Sequence, residues 1–155
     1  MALDETVARV RRRFAAAPAK VFAAFADAEL VGRWLSPAPE IRITVLQFDF
    51  RVGGAYRFAY DVPGGQIMIV GGVYRSIVPP AKIVFSWIIE PPDMHAGIES
   101  VVTVTIEPDG GGAELLIRHE RLARRDAVER HATGWHGALD RLATLLGASE
   151  RPDDR

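Results

Sequence analysis

Asp126-Ala127-Val128-Glu129-Arg130-His131-Ala132-Thr133-Gly134-Trp135-His136-Gly137-Ala138-Leu139-Asp140-Arg141-Leu142-Ala143-Thr144-Leu145-Leu146 is the stretch on which the fold turns. Val128, Ala132, Trp135, Leu139, Leu142 and Leu146 recur along it at spacings of three and four. That period predicts one long helix with a continuous apolar stripe, and Gly147 is placed to cap its end. A stripe of this length must be covered by another layer, so the residues before it have to supply one.

They read as strands. Ala113, Leu115, Ile117 and His119 share one face of the run just before the helix, with Glu114, Leu116, Arg118 and Glu120 on the other. Val102, Val104 and Ile106 mark the run before that, and Ile83, Phe85, Trp87 and Ile89 the one before it. Further back, Gln66 to Ile77 is interrupted by Gly71-Gly72, where a bulge or sharp bend is expected. Tyr56, Phe58 and Tyr60 alternate with polar or small residues, and Ile41 to Phe50 reads as a strand broken near Gln47. Gly53-Gly54, Pro63-Gly64-Gly65, Pro79-Pro80, the Pro91 to Gly97 loop and Pro108 to Gly112 separate these runs. Connections this short imply an antiparallel sheet. At the start, Thr6 to Phe14 is a strand with Val10, Arg12 and Phe14 on one face. Pro18 opens a short helix, Asp27 caps a second one carrying Leu30 and Trp34, and Ser36-Pro37-Ala38-Pro39 stops it. The expected fold class is therefore α+β. A curved antiparallel sheet of six to seven strands wraps around the C-terminal helix, with two short helices after the first strand. Residues 1–148 are expected to form one domain, with a frayed polar tail at 149–155.

Composition excludes several functions. Nineteen basic residues against twenty acidic ones give a formal charge of −1, so no strong field draws nucleic acid or an anionic membrane. Arg11-Arg12-Arg13 is the one basic cluster, read as a solvated strand end. There is no cysteine, which removes disulfides, thiolate catalysis and thiolate metal sites. No apolar run approaches a membrane span. The first residues are acidic and lack an apolar segment, so a cytoplasmic protein is expected. His131 and His136 stand five apart on the helix, not four, and there is no His-Glu-x-x-His pair. No metal, nucleotide loop, serine elbow or cofactor is expected.

The chain also resembles a known family. Arg12-Arg13-Phe14, Ala17-Pro18, Ala26-Asp27-Ala28-Glu29-Leu30, Arg33-Trp34 and Asp49-Phe50-Arg51-Val52-Gly53-Gly54-Ala55-Tyr56-Arg57 carry the likeness. Gly72-Val73-Tyr74, Ile77-Val78-Pro79-Pro80 and Gly134-Trp135 continue it. Together they are similar to the bacterial proteins named after the activator of the 90-kDa heat-shock protein ATPase, within the START and Bet v 1 superfamily. The resemblance implies a helix-grip fold with a ligand cavity, and it implies no particular reaction. Two positions depart from it: Trp34 is followed by Leu35-Ser36-Pro37 without the second tryptophan and glycine, and Ser76 stands where an acidic residue is usual.

The expected function is binding of a small hydrophobic or amphipathic molecule between sheet and helix. The candidate ligand-binding residues are Arg12, Trp34, Phe58, Tyr60, Met68, Trp87, Val104, Ile117, His119 and Trp135. His119 and Arg12 are the polar ones. His119 is either a structural histidine or a ligand contact and general base. Arg12 needs a partner, which is either a protein carboxylate or an anionic head group. The alternative function is a small cyclase- or hydrolase-type enzyme using these two, although no catalytic motif is present. A co-chaperone-like module, suggested by the family name, ranks last, because the eukaryotic namesake has an additional N-terminal domain for which this chain has no room. A homodimer is expected from the size of the domain. Gly134 and Gly137 each cost the helix about 1 kcal/mol relative to alanine, so either a close approach or a ligand uses the missing side chains.

Overall fold

The computed structural model describes residues 6–150. The elements run β1 (Ala8–Phe14), α1 (Pro18–Ala26), α2 (Ala28–Trp34), β2 (Arg42–Phe48), β3 (Ala55–Val62), β4 (Gln66–Val78), β5 (Lys82–Ile89), β6 (Ser100–Asp109), β7 (Gly112–Glu120) and α3 (Arg125–Glu150). Seven antiparallel strands lie in the order β1-β7-β6-β5-β4-β3-β2. The meander from β2 to β7 follows from the short turns, and β1 pairs outside it, alongside β7. The edge strands β1 and β2 are joined through α1 and α2, and α3 lies across the concave face.

Local chemistry sets the ends of the short helices. Pro18 stands in the first turn of α1. The Asp27 carboxylate accepts from the Glu29 and Leu30 N–H groups at 2.9 and 3.2 Å and starts α2. Trp34, completely buried, donates its indole N–H to the Ala24 carbonyl at 2.9 Å and packs edge-on against Phe25, which locks α2 to α1. In the Asp49–Gly54 turn, Arg51 Nε donates to both Asp49 carboxylate oxygens at 2.9–3.0 Å.

Several expectations are corrected. The first strand begins at Ala8 rather than Thr6. β2 is shorter than expected, and its irregularity falls at Leu46, between Val45 and Gln47. In β4 the ladder to β5 opens at Gly72 and Val73 without a change of register, and the register shift comes at Arg75. Gly72 is needed for close approach instead: a Cβ there would fall on the Ser86 carbonyl oxygen, and the Ser86 hydroxyl accepts the Val73 N–H at 2.9 Å. Gly147 does not end α3, which continues through Ser149 and Glu150; the rest of the tail lies outside the described residues. The buried face of α3 is also turned from the expected stripe in its first half. Ala127, His131, Trp135 and Ala138 are buried, while Val128 and Ala132 are only half-buried; Leu139, Leu142 and Leu146 are buried as expected.

Candidate functional site

The space between α3 and the sheet is filled at one end and hollow at the other. At the filled end Phe25, Trp34, Phe50, Tyr56, Phe58, Tyr74 and Phe85 close around a residual gap of about 20 Å³, room for about one water molecule. Ring centroids there are 4.9 Å apart for Tyr56–Phe58 and for Phe50–Tyr74, and 5.7 Å for Tyr56–Phe85. At the other end lies a cavity of about 320 Å³. Tyr60, Val62, Met68, Trp87 and Ile89 of β3–β5 form its floor. Arg130, His131, Thr133, Gly134, Trp135 and Ala138 of α3 form its roof, and Leu35, Pro37 and Ile41 its side. A larger space of about 510 Å³ shares Val62, Met68 and Arg130 with it and lies between the β3–β4 hairpin and the Pro92–Met94 loop.

Four residues of the expected set, Tyr60, Met68, Trp87 and Trp135, come together on this cavity. Trp34 and Phe58 belong to the filled end. Val104 and Ile117 are completely buried in the core and line neither space. Arg12 shares the inward face of β1, but its stem carries the guanidinium to the rim, 2.5 Å from Asp140 of α3. Its side chain is one-third exposed, so the partner is a protein carboxylate.

His119 is completely buried, opposite Ala8 on one side and Val102 on the other. The Trp135 indole N–H donates to its Nδ1 at 3.1 Å. The ring proton therefore sits on Nε2, which donates to Ser100 Oγ at 2.7 Å, and Ser100 donates in turn to the Trp87 carbonyl at 2.9 Å. Burial, and next the neighbouring His131, hold its pKa well below the usual histidine value. A neutral imidazole with both nitrogens committed has no lone pair to take a proton. Arg12 also stands opposite Leu115, four residues along β7 from His119. The two side chains considered together for chemistry thus do not converge.

Sequence reasoning passed over the polar groups that do reach the cavity. His131 donates its Nδ1–H to the Ala127 carbonyl at 2.7 Å, and burial lowers its pKa. Arg130 binds Asp93 through two bonds of 2.7 and 2.8 Å, meets His95 Nδ1 at 2.7 Å and the Met68 sulfur at 3.1 Å. Asp93 also accepts the His95 backbone N–H at 2.9 Å. The bonds from Arg130 pull the Asp93 pKa down to about 2. This cluster fastens the β5–β6 loop to α3 where the inner cavity meets the outer space. Tyr60 is 3% exposed, and its hydroxyl bonds to no other described residue; burial raises its pKa, so it stays a neutral phenol. The indole N–H of Trp87 is buried and has no acceptor among the described residues.

The two helix glycines divide the explanations between them. A Cβ on Gly137 would fall on the Pro37 carbonyl oxygen, so that glycine lets the α2–β2 loop lie directly on the helix. A Cβ on Gly134 would meet only the Pro37 side chain at an ordinary 3.8 Å, and that glycine lines the cavity. The signal in the sequence was the small-residue pair Gly134 and Ala138, four apart on α3.

Among the described residues no three of the His, Asp and Glu side chains gather closely enough to hold a metal ion. No helix among them is long and apolar enough to cross a membrane. No curated protein matches the chain. Solved structures do. A Chromobacterium violaceum protein is 31% identical, covers 95% of this chain and 99% of its own, and superposes with a TM-score of 0.80. The AHSA1 protein of Silicibacter pomeroyi is 28% identical over 92% of this chain and 99% of its own, with a TM-score of 0.81. A Rhodobacter sphaeroides protein is 29% identical over 93% and 94%, with a TM-score of 0.79. The family model described as activator of Hsp90 ATPase homolog 1-like protein matches residues 15–147. With the helix-grip architecture and these neighbours in agreement over nearly its whole length, the chain belongs to that family, on the START-type fold.

Proposed function

We propose that this protein binds a small hydrophobic molecule between α3 and the β3–β5 part of the sheet. The single observation that carries the reading is the cavity of about 320 Å³ with tryptophan, tyrosine, methionine and aliphatic walls. Its size is within the range of small-molecule pockets, roughly 300–1,000 Å³, and its lining has the mostly apolar character such pockets share. An apolar hollow this large is not an economical way to build a core, since unfilled volume forfeits contacts that packing would supply. The wider space beyond Arg130 and Met68 supports a way in.

Uptake of the neutral fluorophore N-phenyl-1-naphthylamine tests the reading. Its emission should rise on binding to the wild-type chain. Gly134→Leu places a side chain into the cavity, and should abolish the rise while leaving the chain folded by circular dichroism. Equal uptake by both proteins would place the probe elsewhere and remove the case for this cavity.

A further inference from the structure

The cavity wall carries one formally charged side chain, Arg130. Each of its two terminal nitrogens bears two N–H groups, and these are fully committed. Nη1 meets Asp93 Oδ1 and His95 Nδ1, while Nη2 meets Asp93 Oδ2 and the Met68 sulfur. Asp93 also cancels its charge. A carboxylate seated on these two nitrogens would have to displace Asp93, stranding one anion to pair another. Burying a charge without a partner is strongly unfavourable.

Tyr60 presents the opposite case. It is almost wholly buried on the cavity floor, yet its hydroxyl has no bond to a described residue. An occupant with one polar atom there would satisfy it. The volume sets a size as well: an engineered apolar cavity of roughly 150 Å³ holds benzene, and this one is about twice that.

Resting on the binding reading above, we infer that the preferred occupant is an uncharged molecule about two fused rings in size, with one hydroxyl or carbonyl oxygen bonded to Tyr60. Arg130 acts as a wall that Asp93 keeps closed to anions, not as an anchor for them.

Calorimetric titration of the full chain at neutral pH with naphthalene, 2-naphthol and 2-naphthoate tests this. 2-Naphthol should bind about fivefold more tightly than naphthalene, the worth of one net hydrogen bond. 2-Naphthoate should bind at least about 100-fold more weakly than 2-naphthol. Tyr60→Phe should erase the preference for naphthol over naphthalene. Asp93→Ala releases the Arg130 N–H groups and should bring naphthoate within about tenfold of naphthol. If Asp93→Ala no longer takes up naphthalene, the wild-type series and Tyr60→Phe decide. Naphthoate binding as tightly as naphthol in the wild type, or a naphthol preference that survives Tyr60→Phe, overturns the inference. A wild-type chain that takes up neither N-phenyl-1-naphthylamine nor any of the three overturns the cavity reading itself. One that takes up the fluorophore and all three equally overturns only the selectivity.

Discussion

Phe58 and Tyr60 stand two residues apart on the same face of β3, both 3% exposed. Phe58 meets Tyr56 and Phe48 rings in a region with room for little more than a water. Tyr60 meets a hollow of about 320 Å³. The strand, the face and the degree of burial are the same, so burial alone does not tell a core residue from a site residue. What differs is the opposite layer. Over Phe58 lie the large side chains of α1, α2 and the β2–β3 turn; over Tyr60 lies the part of α3 that carries Gly134 and Ala138.

The sharpest way to break this contrast is to truncate each end. Phe58→Ala should cost about 3–5 kcal/mol, as for large aromatic deletions from packed cores, and urea denaturation would read it as a lower midpoint. Tyr60→Phe removes a hydroxyl that bonds to no described residue and should move stability by less than about 0.5 kcal/mol. A loss above about 1 kcal/mol from Tyr60→Phe would mean that its hydroxyl is bonded in the folded chain.

Acid should act next most strongly. His119 and His131 are buried with lowered pKa values, chiefly through desolvation. The unfolded chain therefore binds protons first. Stability is full above the unfolded histidine value of about 6.5 and falls below it, by at most about 1.4 kcal/mol per pH unit for each histidine. The Asp93–Arg130 clasp adds its loss below the unfolded aspartate value of about 4, and that loss is complete once the pH falls through the folded value of about 2. Denaturation midpoints that stay level from pH 7.5 to 5 would contradict the buried neutral pair.

The glycines give the smaller effects. Gly137→Ala should destabilise by about 1–3 kcal/mol, as overpacking does, because the Pro37 carbonyl has to move. Gly134→Ala should stabilise by up to about 1 kcal/mol through helix propensity while shrinking the cavity. Thermal melts of the two variants should shift in opposite directions.

Periodicity made the element order legible, since alternation and the spacing of three and four are local. The inward aromatics of β3 and β5 were visible for the same reason. What alternation could not show was where an inward side chain ends. Arg12 points inward at its Cα, yet its long stem reaches Asp140, 128 residues away. His119 points inward too, and its freedom to act is removed by Ser100 and Trp135, each on a different element. The turn of α3 that buries His131 in place of Ala132 depends on packing against β1 and the residues before the helix, which no stripe encodes. The hollow is a difference between two volumes, and a single strand's pattern carries only one of them.

The distribution of the three tryptophans has a spectroscopic consequence. Trp87 and Trp135 border the cavity with ring centroids 5.4 Å apart, whereas Trp34 is sealed in the filled end and bonded to Ala24. Occupancy should thus change the emission of two indoles and leave the third as an internal reference. The intrinsic ultraviolet fluorescence of the unlabelled chain then becomes a ratiometric gauge of whether the cavity is full.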